Sequence, residues 1–195
     1  MRIDDANQND EITKSLRLLN KIAKTYRQKR IENGALTLAS IEVRIQRREN
    51  DGDSLQEPTK YETKDTNALV EEFMLLANTS VAKKIYGHFP HISLLRRHPA
   101  PPKINFENLA KISNLKNLDL NFEDSKKLAE SLDSAQFSDS YLNTLLRILT
   151  TRSMLQAVYF CSGTLPFSEY HHYGLAEPIY THFTSPIRRY AGLFL

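Results

Sequence analysis

The residues best suited to chemistry lie in the C-terminal segment 180–195, which reads YTHFTSPIRRYAGLFL. Ser185-Pro186 predicts a helix start, because serine is a favoured N-cap and proline suits the first helical position. Arg188 and Arg189 then fall in the first turn, where cations oppose the helix dipole. Two guanidinium groups, the hydroxyls of Thr184 and Ser185, and free backbone N–H groups would together form a receptor for phosphate.

A second interpretation of this segment is a surface turn whose arginines pair with distant acids. No acidic residue occurs between Pro178 and the C-terminal residue, so no carboxylate lies close by in sequence to neutralise the arginines. The aromatic side chains Tyr180, His182 and Tyr190 either stack on bases or pack inside the protein, and packing is favoured at these spacings. The residue pattern alone leaves both interpretations of the arginines open.

Two adjacent carboxylates, Glu71 and Glu72, open a predicted helix. Neighbouring residues on a helix point about 100° apart, so the two cannot form one tight pair. One interpretation is favourable placement near a helix N-terminus. The other is that one carboxylate faces a site and accepts a hydrogen bond from a ribose hydroxyl.

The stretch between Phe73 and Phe106 contains no Asp or Glu. Its cations are Lys83, Lys84, Arg96, Arg97 and Lys103, and it also holds His88, His91 and His98. Such a stretch is either a surface that follows an RNA backbone or a solvated face paired with acids elsewhere. The histidines lack a second pair at zinc-like spacing, which favours ordinary surface residues.

Composition predicts a soluble intracellular globular chain with a sizeable core and no membrane partner. The chain has 195 residues, of which 41% are hydrophobic and 25% charged, and its formal net charge of +3 does not by itself indicate nucleic acid. Its one cysteine, Cys161, excludes an internal disulfide framework and suits a reducing compartment. No apolar run is long enough to span a bilayer, and the polar opening is unlike a signal peptide.

Periodicity predicts a helix-rich α/β fold with few strands. The predicted helices cover residues 11–33, 67–86, 105–117, 124–134 and 138–162. In the first of them, Ile12, Leu16, Leu19, Ala23 and Tyr26 recur at helical spacing. Short strands are predicted in 35–38 and 42–45, a polar loop at 48–65, and loop and strand character over 163–184.

Several motifs, in order along the chain, resemble the ribonuclease II (RNB) family of processive 3′-to-5′ exoribonucleases, and within it the eukaryotic branch associated with the RNA exosome. The motifs are SLRLLNKIA at 15–23, VEEFMLLAN at 70–78, LLRRHPAPP at 94–102, QAVYFCSG at 156–163, HYGLA at 172–176 and YTHFTSPIRRYA at 180–191. Since they cover nearly the whole chain, residues 1–195 are identified as part of an RNB catalytic domain. Residues 48–65 are the least similar to the family.

The resemblance implies roles for the candidate residues. Arg188 would stabilise the negative charge that develops as a phosphodiester is hydrolysed. Arg189, Thr184 and Ser185 would bind neighbouring backbone phosphates. Glu72, with Glu71 as the second choice, would hold the 3′-terminal nucleotide. Tyr180 and His182 are further RNA-binding candidates, and single-stranded RNA is the expected ligand.

The resemblance also predicts what this chain lacks. The family holds Mg²⁺ with aspartates in an upstream motif that the chain does not contain, and Gly192 occupies a position where the family has an aspartate. We therefore expect RNA binding without turnover by the chain alone. Exosome core subunits would be partners of the full-length protein, in the nucleus, nucleolus and cytoplasm. One alternative is a non-catalytic RNA-binding or regulatory derivative, and another is a helical interaction module.

Overall fold

The computed structural model describes residues 9–37, 64–135, 137 and 139–193, and two short strands at 43–44 and 59–60. Strand β1 (Val43–Arg44) pairs antiparallel with β2 (Thr59–Lys60). The strand prediction at 42–45 is therefore confirmed at 43–44, whereas residues 59–60 are strand and not loop. Most of the predicted 48–65 loop lies outside the described residues. Ala35–Thr37 has no regular structure, and the remainder of 35–38 is also outside the described part.

The first helix, α1, spans Glu11–Glu32 and begins at the predicted cap, where an Asp10 carboxylate oxygen accepts from the Thr13 backbone N–H at 3.2 Å. Its buried side chains are Thr13, Asn20 and Ala23, of which only Ala23 belongs to the predicted apolar pattern. Ile12 and Tyr26, which the apolar pattern placed on the inward face, are 65% and 41% exposed. The periodicity therefore identified the helix but not the face that it buries.

Helix α2 spans Asp65–His88 and packs along α1. It runs through Gly87, which was predicted to end it. Its buried side chains are mostly polar and include Glu72, Asn78 and Thr79. A buried carboxylate or amide needs a hydrogen-bond partner, so this face of α2 requires specific contacts from other segments.

A two-stranded ribbon joins distant parts of the chain. Strand β3 (Leu94–Arg97) pairs antiparallel with β4 (Val158–Cys161), and Leu94 lies opposite Cys161. The helix predicted over 138–162 is observed over Ser140–Ser153 (α5), so the prediction is wrong beyond Ser153. The run Val158-Tyr-Phe-Cys is β-branched and aromatic, and a partner strand supplies the backbone hydrogen bonds that favour a strand there.

The main core forms between the shorter helices α3 (Glu107–Leu115), α4 (Ser125–Ser134) and α5 (Ser140–Ser153). It contains Phe106, Leu109, Leu128, Leu132 and Leu146. A second cluster (Ala82, Leu95, Tyr170, Ile179) packs α2 against the ribbon. The predicted helix 105–117 is a 3₁₀ turn at Lys103–Phe106 followed by α3. The helix-rich fold with few strands is confirmed, and no helix in the described part has the length and hydropathy of a membrane span.

Candidate nucleic-acid groove

A groove of about 680 Å³ opens between α1, α2, β3 and the segment 172–182. We call it the basic groove. Its charged lining consists of three arginines (Arg27, Arg30, Arg96) and one carboxylate (Glu71), and its other polar side chains are those of Thr37, His98, Thr151, His172, Tyr180 and His182. A concave surface with this excess of positive groups attracts a polyanion.

The two carboxylates of α2 have different surroundings. Glu72 is 4% exposed, and Arg30 binds it with two contacts: Nη2 to Oε1 at 2.5 Å and Nε to Oε2 at 3.3 Å. Glu71 is about half exposed, lies 3.6 Å from the same guanidinium and lines the groove. Glu71 is therefore the carboxylate that faces the groove, while Glu72 anchors Arg30.

The turn at Ser185-Pro186 is not the start of an α-helix in the described residues. Pro186–Arg188 form a 3₁₀ turn with proline at its first position, and Ser185 is left-handed (φ 59°) with no side-chain capping bond. The Arg188 and Arg189 backbone N–H groups donate to Ser185 and Pro186 carbonyls at 3.3 and 3.1 Å. Two of the predicted free N–H groups are thus engaged, and hydroxyl and guanidinium groups remain for a ligand.

Asn78 of α2 holds this turn in place. Its side-chain oxygen accepts from the backbone N–H groups of Phe183 and Thr184 at 3.0 and 2.9 Å, and its amide donates to the Tyr180 hydroxyl at 2.9 Å. The Asn78 side chain is fully buried. The sequence offered one signal for it, a lone amide within the VEEFMLLAN motif, which was interpreted only as a polar helix residue.

Two buried polar atoms at this turn have no partner in the described structure: the Thr184 hydroxyl oxygen and Arg189 Nη1. Most buried polar atoms in proteins are hydrogen-bonded, so two unpaired atoms at one turn leave hydrogen-bonding capacity that a ligand could use. The Arg188 side chain is exposed and forms no ion pair with any described residue. The turn therefore offers polar donors that are not already used by the protein.

A row of rings lines the groove. His172 lies 5.2 Å from His98 and 5.1 Å from Tyr180, and Tyr180 lies 5.6 Å from His182 (centroid distances). Tyr180 itself is buried, and burial raises the pKa of its hydroxyl. Burial, with help from His98 and Arg96, lowers the pKa of His172 to about 3. The histidines that face the groove are therefore neutral near pH 7.

His98 is a structural residue. Its Nδ1 accepts from the Gly174 backbone N–H at 3.1 Å, so Nε2 carries the proton and donates to the Leu155 carbonyl at 2.8 Å. Burial lowers the pKa of His98 as well. Both ring nitrogens are engaged, which leaves His98 no valence for a ligand.

The two arginines of the 73–106 stretch have different contacts. Arg96 lines the groove, whereas Arg97 pairs with Glu169 at 2.6 Å outside the groove.

Cys161 is half-buried, with Sγ 3.4 Å from the His91 carbonyl. Within the described ranges, no group of three or more His, Cys, Asp or Glu side chains is placed to hold a metal ion.

Sequence reasoning placed Arg188, Arg189, Thr184, Ser185, Tyr180 and His182 on one segment, and the structure brings that segment against α2 and β3. It did not find Arg30, Arg96 or Asn78 as site residues. Arg96 was interpreted only as a member of the basic 73–106 stretch, and Arg30 was not singled out. Their positions depend on how α1 and the ribbon pack, which no local pattern specifies.

Comparison with known proteins agrees with this picture. Residues 2–195 match the family described as the RNB domain. The chain is 58% identical over 196 residues to exosome complex exonuclease RRP44 of Homo sapiens and 55% identical over 194 residues to exosome complex exonuclease dis3 of Schizosaccharomyces pombe. It is covered almost completely in both alignments, 100% and 98%, but accounts for 20% of each relative. The chain thus spans about a fifth of the length of these relatives.

Solved structures share the fold. RNase R of Mycoplasma genitalium in complex with double-stranded RNA superposes with a TM-score of 0.77 at 23% identity, over 97% of this chain and 33% of that one. Yeast Ssd1, described as a pseudonuclease, superposes with a TM-score of 0.70 at 23% identity, over 98% of this chain and 23% of that one. At these identities the likeness is one of fold alone, and the fold occurs in proteins with and without nuclease activity.

Proposed function

The chain belongs to the RNB family, and on that premise we propose that it is part of a 3′-to-5′ exoribonuclease domain that holds single-stranded RNA in the basic groove. The observation that supports this most directly is the turn held by Asn78. Thr184 Oγ1 and Arg189 Nη1 are buried there without partners, and Arg188 of the same segment is exposed and has no ion pair among the described residues. Phosphate oxygens would satisfy all three groups.

Each predicted residue then has a position in the proposed complex. Arg189, Thr184 and Ser185 would bind backbone phosphates at the turn. Arg188 would lie against the phosphate under attack, where a guanidinium stabilises negative charge as it develops. Glu71 faces the groove and would accept from a ribose hydroxyl, while Glu72 would act through Arg30, which it orients. This exchanges the order of the two carboxylates relative to the sequence-based preference.

Magnesium enters the proposal only through residues outside this chain. Mg²⁺ prefers clustered carboxylates and would supply the attacking hydroxide, and the described residues contain no such cluster. We therefore propose that the chain alone binds RNA without hydrolysing it. Processive hydrolysis, association with exosome core subunits, and residence in the nucleus, nucleolus and cytoplasm belong to the full-length protein in this proposal.

A second candidate is a non-catalytic RNA-binding derivative. The observation that favours it is the close packing at Gly192, where an added Cβ would lie 3.0 Å from Cα and Cβ of Pro186. An aspartate at this position, as in the family pattern, would require the Pro186 turn to shift. The turn as it stands thus suits binding without that carboxylate.

RNA binding is tested by titrating a fluorescent single-stranded RNA at two salt concentrations. We expect binding that weakens with salt, and Arg188→Ala should weaken it further and reduce the salt slope by about 0.7, the value for one lost phosphate contact on a single strand. Arg152→Ala is the matched control, because Arg152 is an exposed arginine that does not line the basic groove. Equal affinities for the two variants would refute the proposal.

Catalysis separates the two candidates. Incubation of labelled RNA with the chain and Mg²⁺ should give no shortened products. Adding the upstream segment of a relative that carries the family aspartates should restore stepwise shortening if the chain is part of an exonuclease. Continued inactivity of a correctly folded combined protein would favour the non-catalytic derivative.

A further inference from the structure

His182 has two donors on the same ring nitrogen. Arg96 Nη1 lies 3.1 Å from His182 Nδ1, and the Tyr159 hydroxyl lies 2.6 Å from it. A guanidinium only donates hydrogen bonds and does not lose its proton in proteins, so Nδ1 must be the acceptor. The ring proton is therefore on Nε2, and the Tyr159 hydroxyl also donates to Nδ1.

The surrounding elements fix the orientation of this ring. Arg96 and Tyr159 lie directly opposite each other in the β3–β4 ribbon, with the guanidinium carbon 5.2 Å from the tyrosine ring centroid. The His182 ring contacts Tyr159 at 5.7 Å and Tyr180 at 5.6 Å, both as edge contacts. In this orientation a proton on Nδ1 would point at the Arg96 guanidinium, which excludes the alternative tautomer.

The free side of the ring opens to the groove. His182 lines the basic groove. Its Nε2 has no hydrogen-bond partner among the described residues, and it is not one of the fully buried side-chain atoms that lack a partner. Burial, followed by Arg96, Arg189 and Arg188, lowers the pKa of His182 to about 4. Tyr159 and Tyr180 are the other titratable side chains in contact with the ring.

We propose that His182 is a neutral donor whose Nε2–H binds a phosphate oxygen of RNA in the basic groove, with Arg96 and Tyr159 as the positioning residues that fix its tautomer. This inference rests on the proposed function, since RNA supplies the phosphate. An anionic oxygen is the acceptor that suits the position, because the same guanidinium groups that keep His182 neutral attract negative charge. A ribose hydroxyl would gain much less from these cations.

Binding of a fluorescent single-stranded RNA tests the donor. His182→Phe keeps an aromatic ring and removes the N–H, and we expect it to weaken binding by roughly tenfold, the effect of one hydrogen bond to a charged group. His182→Gln presents an amide N–H near the position of Nε2 and should recover part of the loss. His88→Phe is the matched control, because His88 is exposed on α2 away from the groove, and it should bind like the wild type. Equal binding by wild type and His182→Phe would overturn the proposal.

Two further comparisons test the acceptor and the charge state. The loss caused by His182→Phe should be the same on DNA of matching sequence, and a loss confined to RNA would overturn the phosphate assignment in favour of a ribose hydroxyl. The ratio of wild-type to His182→Phe affinity should stay constant from pH 8 to 5.5. A ratio that grows as the pH falls would show an imidazolium donor and overturn the neutral form.

The tautomer is measured without any ligand by long-range ¹H–¹⁵N correlation NMR, with His182→Phe used to assign the resonances. We expect a protonated Nε2 and an unprotonated Nδ1, and Arg96→Met with Tyr159→Phe should release this preference. A proton on Nδ1 in the wild type would overturn the inference. If the wild type binds no RNA at all, the proposed function fails, whereas the NMR result still decides whether the donor is fixed.

Discussion

Two of the ion pairs between α1 and α2 differ in burial, and the half-exposed Glu71 also lies 3.6 Å from Arg30. Arg30 and Glu72 have side chains that are 14% and 4% exposed, whereas Lys24 and Asp65, which are 3.0 Å apart, are 63% and 59% exposed. The pairs connect the same two helices with the same charges. They therefore isolate the effect of burial on the value of an ion pair.

We predict that Arg30→Met lowers the free energy of unfolding by about 3–5 kcal/mol, the usual cost of leaving one partner of a buried pair without its counter-charge. The environment of Glu72 makes compensation difficult, since Glu177 lies nearby and burial raises the pKa of that second carboxyl, with Arg30 opposing the rise. Lys24→Met should cost less than about 1 kcal/mol, as is typical of exposed pairs. The total stability of a domain is only about 5–15 kcal/mol, so the first variant loses a large share.

Urea unfolding followed by circular dichroism measures both variants, with the slope of the transition compared to detect any change in the unfolded state. The double variant Arg30→Met/Glu72→Leu removes the uncompensated charge and should recover at least half of the loss. If Arg30→Met costs no more than Lys24→Met, or if the double variant is less stable than Arg30→Met, the reasoning from burial is wrong.

Three further predictions concern the supports of the groove. Asn78→Ala should lower the free energy of unfolding by about 2–3 kcal/mol and abolish any Arg188-dependent RNA affinity, because two backbone N–H groups of the turn lose their buried acceptor. Urea unfolding and RNA titration measure the two effects, and an unchanged dependence of RNA affinity on Arg188 would contradict the prediction. Gly163→Ala should be destabilising, because the added Cβ would clash with the His91 carbonyl oxygen. Gly87→Ala on α2 meets nothing within 4 Å and should stabilise the chain by about 0.5–1 kcal/mol. The melting temperatures of the two variants should therefore shift in opposite directions. Folding lowers the pKa of His172 from an ordinary 6.5 to about 3, so between these pH values the unfolded chain binds one more proton than the folded chain. The His172 contribution to the free energy of unfolding is complete above pH 6.5 and should fall by up to about 1.4 kcal/mol per pH unit below it. In urea titrations at pH 4.5–7.5, His172→Phe should flatten this dependence.

The sequence predicted those helices whose residue pattern is local. The predicted helices 11–33 and 124–134 correspond to α1 (Glu11–Glu32) and α4 (Ser125–Ser134), close to their observed bounds. The ribbon was missed because each of its strands is four residues long and pairs with a partner far along the chain. A short β-branched run after a helix is ambiguous until its partner is known.

The candidate site shows the same division. Arg188 and its neighbours were found because they lie together in one motif. The groove around them depends on tertiary packing: the packing of α1 along α2 brings Arg30 to Glu72, and pairing in the ribbon brings Arg96 to the C-terminal segment. Neither contact follows from composition or spacing, since both join residues that are distant in sequence.

The wide separation in sequence of Arg30, Asn78, Arg96 and His182 has a thermodynamic consequence. A ligand that contacts several of these residues binds only when helix α1, helix α2, the ribbon and the C-terminal segment are assembled together. Occupancy should therefore stabilise the chain as a unit, by about 2.7 kcal/mol when the ligand is at a hundred times its dissociation constant. An oligonucleotide in the groove would then slow amide hydrogen exchange even in α1 positions that it does not touch.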